Sequence, residues 1–488
     1  MLKRFKKLLR KSERGQAIIL IALAIVGLVS MVGLVTDGGI LLIEYARLKR
    51  GIDAAAISAA LQFRKGFSNV DLENSALEFL RLNQSDVFNV QIDTCDTDAS
   101  ICTVPIRKLV KVTASKHVQF GFMRVLGITE TDISAFSVGE AASIDLALVM
   151  DTSLSMAYET HDDTDAGGPT LNSPDSTDDP SVCNASSSCE PLESIKAVAK
   201  EFIATLFFPY DRVAIVTMTS QDPDGERNPT TVLTLNSDQT TIEDAIDSVT
   251  VFEPVVCPTP LVDPGSEDAD PLPQAGSCLN YPDGVTFAGF ECPRVRTTIP
   301  NPSSCTSSNV GGALTLGGAQ FTLDSVDSPM NEDSFWVIIA LIGGPANASD
   351  PDLTHEFGYC PDNTHNDPLN PFCRDADAAT RHGDGDSNYD AEDYARDQAD
   401  ALADPVIGNG ITIFTIGLGN PIRNASKGEP LAGEILLQYV AQEAGDDPVN
   451  DPDTYTANHG QYFYSPDSSG LADIFALIAQ NIFTRLSQ

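Results

Sequence analysis

The chain has 488 residues, ten cysteines and a formal net charge of −39. That length allows two or three domains, and that charge argues against a nucleic-acid partner, because a polyanion would be repelled. The acidity is uneven: the first sixteen residues carry Lys3, Arg4, Lys6, Lys7, Arg10, Lys11 and Arg14 against Glu13 alone.

Ala17 to Val35 is an uncharged run rich in Ile, Leu, Val, Ala and Gly. It is long enough to span a hydrocarbon core as a helix. A signal peptide is its rival, but that apolar core is shorter and ends at a small-residue cleavage site. Here the run continues through Thr36-Asp37-Gly38-Gly39 into Ile40-Leu41-Leu42-Ile43. A retained single-pass anchor is therefore expected. The basic arm stays in the cytoplasm, which puts everything after about residue 37 outside.

Glu44 to Lys65 continues as a helix, with Tyr45, Leu48, Ile52, Ala55, Ala59 and Phe63 at three- and four-residue steps. Its Ala-rich run, Asp53 to Leu61, suits a stalk or core helix, or a pilin-like helix packed on similar helices. Asp71 to Asn83 reads as a short helix. Phe88–Ile92 and Lys108–Ala114 alternate like half-buried strands. A Phe-rich segment, Val118–Met123, and the run Ile133–Val138 complete a small α+β module.

From Ser143 onward strands and helices alternate, which predicts a mostly parallel sheet wrapped by helices. Strands are expected at 143–150, 212–219, 230–235, 335–342, 411–417 and 460–464. Helices are expected at 190–207, 239–249, 309–323, 390–403, 431–444 and 468–485. Three acidic or Pro-rich insertions, at about 157–190, 251–308 and 345–389, interrupt the pattern. The expected organisation is thus 1–66 (basic arm, anchor and helix), 67–142 (α+β module) and 143–488 (α/β domain).

All ten cysteines follow the apolar span, which suits disulfides in an oxidising compartment. Cys95/Cys102, Cys183/Cys189 and Cys360/Cys373 are natural local pairs. Cys257, Cys278, Cys292 and Cys305 admit three connectivities. Zinc is disfavoured, because Cys-x-x-Cys is missing and the histidines are scattered.

The strand Ile144–Met150 runs directly into Asp151-Thr152-Ser153-Leu154-Ser155. In an open α/β sheet, ligands bind at the carboxyl ends of the strands. One carboxylate and two hydroxyls spaced by two are oxygen donors of the kind Mg²⁺ takes. Asp384–Asp393 resembles the start of a calcium loop. Tyr389 stands where an EF-hand needs Gly, and Ala395 where it needs Glu, so a solvated acidic turn before a helix is expected. No Gly-x-Ser-x-Gly elbow, His-Glu-x-x-His or Walker-type loop occurs. The six histidines pair with no nucleophile, and the expectation is a protein that is not an enzyme.

Two resemblances follow from these residues. Arg14-Gly15-Gln16-Ala17, Asp37-Gly38-Gly39 and Asp53-Ala54-Ala55-Ala56 resemble, in that order, the start of TadE/TadG-type (TadG-like) Flp pilus assembly proteins. The part after Ser143 resembles a von Willebrand factor type A (vWA) domain, through Asp151–Ser155, Gly311–Leu314 and Ile411–Gly419. The resemblance implies a vWA-like doubly wound sheet with flanking helices, preceded by a transmembrane helix and the α+β module. It also implies a metal-ion-dependent adhesion site (MIDAS) with Asp151, Ser153, Ser155 and Ser308 as ligands. Ser308 stands where the family has Thr, and Gly343 where it has a further Asp. The expected Mg²⁺ site is therefore degenerate and weak, and Gly343→Asp should tighten it.

The expected function is a membrane-anchored bacterial envelope protein of Flp/tight-adherence pilus assembly or surface adhesion. Its partners would be proteins of the pilus or envelope, and its membrane contact residues 17–35. The alternative is a vWA accessory subunit that presents a substrate to a partner enzyme. A processed pilin is disfavoured, because Leu20 occupies the place of the Glu that prepilin peptidase requires.

Overall fold

The computed structural model describes residues 13–63, 68–84, 86–157, 179–221, 225–257, 278–291, 308–324, 329–353, 355, 358–359, 379–406, 408–423, 431–446 and 458–485. They fall into two compact units, Met1–Ala141 and Ala142–Gln488.

The first unit begins with one unbroken helix, α1 (Glu13–Leu61). Its first half exposes the large apolar side chains between Ile18 and Val35, and it is long and apolar enough to cross a membrane. Its second half buries Leu48, Ile52, Ala55, Ala56 and Ala59. The helix α2 (Asn69–Asn83) starts on a reciprocal cap, with the Ser68 backbone N–H donating to Asp71 at 2.8 Å. The strands β1 (Val87–Asp93), β2 (Lys108–Gln119) and β3 (Glu130–Ala141) form an antiparallel sheet in that order. Along β2, Val110, Val112, Ala114 and Val118 are buried, as period-two alternation requires.

The Ala-rich face is used inside the chain. A side chain at Gly139 of β3 would bring its Cβ within 2.3 Å of the Ala56 carbonyl oxygen. Small residues on both elements let helix and strand approach closely. The core-helix reading of 53–61 therefore holds, and the sheet occupies the face that was open to pilin-like packing.

The second unit contains β4 (Ile144–Met150), α3 (Pro180–Ser186), α4 (Leu192–Ile203), β5 (Arg212–Thr217), β6 (Thr230–Asn236) and α5 (Gln239–Ser248). A short hairpin of β7 (Cys278–Leu279) and β8 (Phe290–Glu291) follows, then α6 (Val310–Thr322), β9 (Phe335–Ile342) and α7 (Ala391–Ala403). The chain continues through β10 (Thr412–Leu418), α8 (Asn420–Arg423), α9 (Ala432–Gln442), β11 (Tyr462–Ser465) and α10 (Leu471–Arg485). The main sheet has the order β11-β10-β9-β4-β5-β6. All neighbours are parallel except β5 and β6. This is a doubly wound order whose direction reverses between β4 and β9, the switch point where such sheets open a crevice.

Both sheet faces are covered. Leu146, Leu148 and Met150 pack with residues of α4, α5 and α10. Ala147 and Val149 pack on the other face with residues of α6, α7 and α9. A strand buried on both sides reads as a continuous apolar run, which is why 144–150 was legible. The antiparallel β6 is the departure from a uniform sheet. Among the described residues of the connection from β5, 218–229, the helical element is one 3-10 turn, Gly225–Arg227, and a parallel return needs a longer crossover element.

Disulfides Cys95–Cys102 and Cys183–Cys189 form as expected, and Cys257 pairs with Cys278. Cys292, Cys305, Cys360 and Cys373 lie outside the described residues, as does most of the three insertions.

Candidate functional site

The strands β4 and β9 are neighbours, so the loops that leave their carboxyl ends meet. Asp151 follows β4, and Gly343 follows β9. Asp151 accepts two backbone N–H bonds: Ser153 donates to Oδ1 and Gly343 to Oδ2, each at 2.8 Å. The Ser153 and Ser155 hydroxyls lie 2.8 Å apart. A Cβ built on Gly343 would stand 3.4 Å from Ser155 Oγ and 3.5 Å from Asp151 Oδ2. One built on Gly344 would stand 3.6 Å from Ser308 Oγ. The four expected ligands are thus drawn around the Gly343-Gly344 turn at the switch point. All four are buried.

Ser308 is positioned by the loop after β9. Its backbone N–H donates to Asn347 Oδ1 at 2.8 Å, and the Asn347 N–H donates to the Ser308 carbonyl at 3.2 Å. Asn309 caps α6 by accepting from the Gly312 N–H at 2.9 Å. Its amide donates to Asp350 Oδ1 at 2.7 Å, and Tyr394 Oη donates to Asp350 Oδ2 at 2.9 Å. A Cβ at Gly312 would meet Asp350 Oδ1 at 2.3 Å, so the glycine permits this contact. Asn347 and Asp350 therefore brace the second loop.

Thr152 and Met156 are contributors that spacing did not single out. The Thr152 hydroxyl lies 2.7 Å from that of Thr219, which ties the β4 loop to the residues after β5. Met156 matters more. Its methyl carbon lies 2.0 Å from the Cβ position of Gly343. It fills the space into which an aspartate at 343 would project. Met156 is itself buried.

The electrostatics pull in two directions. Burial pushes the Asp151 carboxyl above the usual carboxylate range, and the Gly343 and Ser153 donors offset this only in part. Among the described residues no basic group pairs with Asp151, and a buried carboxylate in that setting favours a cation. Yet one carboxylate with hydroxyls is little charge for a divalent ion, and a thioether methyl is no ligand for Mg²⁺. Among the described residues no group of three or more His, Cys, Asp or Glu converges. The donors fit Mg²⁺ in kind and fit only weak binding in number.

The acidic run 384–393 is a turn and a helix cap. Asp384 and Asp386 are exposed, while Asp390 accepts from the Glu392 and Asp393 N–H groups and starts α7. Beside the Asp151 loop, a cleft of about 890 Å³ is lined by Gln221, Glu253, Val256, Leu279, Tyr281 and Val285, among others. The Phe252 N–H donates to the Thr152 carbonyl at 2.8 Å, which seats one wall of the cleft on the site loop. Val256 and Val285 are exposed there.

No protein-family model matches the chain, and no curated protein matches it. Solved structures do. The PilB minor pilin from Streptococcus sanguinis is 12% identical, with 82% of this chain and 79% of that chain covered and a TM-score of 0.36. The vWF domain of the type V pili tip protein Mfa5 from Porphyromonas gingivalis is 14% identical, with 71% and 97% covered and a TM-score of 0.34. Proximal thread matrix protein 1 from the mussel byssus, with a zinc-occupied MIDAS motif, is 12% identical, with 70% and 46% covered and a TM-score of 0.30. The strand order and the helices on both faces define the second unit as a vWA-like doubly wound α/β domain. A long apolar helix and a small antiparallel sheet precede it.

Proposed function

We propose that this protein is a single-pass component of the bacterial envelope that acts in Flp/tight-adherence pilus assembly or surface adhesion. The amino terminus is cytoplasmic, and the vWA-like domain is extracytoplasmic and binds protein partners of the pilus or envelope. The observation that carries the reading is the joining, in one chain, of a membrane-length apolar helix to a doubly wound domain with a built switch-point rim. The TadE/TadG-like order of motifs along α1 supports the pilus assignment, and short-range disulfides suit an oxidising compartment. Fold alone does not fix function, so the weight rests on the rim and its cleft. The protein acts by binding rather than by catalysis. Asp151, Ser153, Ser155 and Ser308 would hold a weakly bound Mg²⁺.

Deleting the gene in its native bacterium tests this. Electron microscopy should show pili lost, with surface attachment reduced to that of a non-piliated strain, and the full chain should restore both. Unchanged piliation together with unchanged attachment would overturn the reading.

A further inference from the structure

Asp37 lies just beyond the apolar span, and its carboxylate is buried. Three successive backbone N–H groups converge on it: Gly121 at 2.8 Å, Phe122 at 3.0 Å and Met123 at 2.7 Å. Burial works against the charge, but those three donors outweigh it and hold Asp37 below the usual carboxylate range. The loop between β2 and β3 is thereby clamped to α1. The clamp is deep. A Cβ at Gly33 would stand 2.7 Å from the Phe122 Cβ. Gly33 is two residues inside the end of the apolar run, about 3 Å at the helical rise.

The tip of this loop is apolar where a water-facing loop is usually polar. Val125 is 86% exposed, Phe122 44% and Ile128 45%. Its backbone is closed as well. Val125 N–H donates to the Phe122 carbonyl at 3.0 Å, Gly127 to Arg124 at 3.0 Å and Ile128 to Met123 at 3.1 Å. Irregular backbone tolerates a lipid boundary only when its polar groups are satisfied internally. Here the Asp37 carboxylate and the tight turn supply the partners. Arg124, exposed beside Val125, has the length to reach lipid phosphates.

We propose that Phe120–Ile128 is a membrane-interface wedge. Phe122, Val125 and Ile128 sit at the headgroup–acyl boundary of the leaflet where the α1 span ends, and Arg124 lies among the phosphates. The occupant of this surface is the bilayer itself, because the loop is fixed alongside the last turn of the apolar span. Asp37 acts as the clamp that sets its depth. The inference rests on the anchor reading of α1.

The test uses the full chain in vesicles of phosphatidylcholine and phosphatidylglycerol, with and without brominated acyl chains. Trp336 is the sole tryptophan, so the parent chain gives the background. Val125→Trp should be quenched by brominated lipid to within about twofold of Leu28→Trp, a residue inside the span. Phe136→Trp, an exposed apolar position on β3, should match the parent. Quenching of Leu28→Trp without quenching of Val125→Trp overturns the wedge, leaves the anchor standing, and assigns the patch to a protein partner. Absence of quenching at Leu28→Trp overturns the anchor reading and the wedge with it.

Discussion

Asp145→Ala lowers the stability of the vWA-like unit by about 3–5 kcal/mol, because it leaves a buried guanidinium unpaired. Asp145 is the second residue of β4, and Arg212 opens β5 beside it. Arg212 Nε donates to Asp145 Oδ1 at 2.8 Å and Nη2 to Oδ2 at 2.6 Å. Both side chains are almost wholly buried. Ser334 Oγ also donates to Asp145, and Arg212 Nη1 donates to the Pro329 carbonyl at 2.6 Å. The pair joins three strand starts at the end of the sheet opposite the candidate site. Trp336 donates to Ser334 Oγ at 3.0 Å, so its fluorescence reports this region directly. Denaturant titration of the full chain in detergent, followed at Trp336, checks the figure. A loss under about 1 kcal/mol would place the pair among ordinary surface bridges. Replacing both partners by apolar residues should restore much of the loss, because neither charge is then stranded.

The second large effect concerns metal affinity. Gly343→Asp alone should change Mg²⁺ binding little, although it supplies the missing carboxylate. The new Cβ meets the Met156 methyl at 2.0 Å, so the methionine tail must swing aside before the side chain can enter beside Asp151 and Ser155. Gly343→Asp combined with Met156→Ala should tighten Mg²⁺ at least tenfold, about 1.4 kcal/mol. Met156→Ala alone should not. Calorimetric titration of the four proteins decides. A single Gly343→Asp variant as tight as the double would show that Met156 yields freely. Tight binding by the parent that Asp151→Ala leaves unchanged would place the metal elsewhere.

What the sequence disclosed follows from where each signal resides. The strands expected at 143–150, 335–342 and 411–417 are nearly all apolar, so composition and length were enough to place them to within a residue. The start of helix α6 was marked by Gly311–Leu314, through its resemblance to a vWA helix start. Asp151, Ser153, Ser155 and Ser308 were read as one set through the vWA resemblance, since Ser308 stands before α6 and far along the chain from the Asp151 loop. Contacts made across long stretches of chain were not legible. Met156 read as an ordinary apolar residue, and only its approach to Gly343 gives it a role. Asp37 read as part of a motif, while its partners stand more than 80 residues away. The Ala-rich face of α1 offered close packing without naming the packer, and Gly139 of β3 turned out to be its complement.

Protease added to intact spheroplasts of the native bacterium tests the central claim most directly, namely that one span carries the vWA-like unit outside. The account predicts that an epitope in the basic arm stays protected on a short membrane-bound fragment, while the unit Ala142–Gln488 is cut away. Protection of that unit until the membrane is breached, or its release as a soluble protein without any protease, would contradict the account.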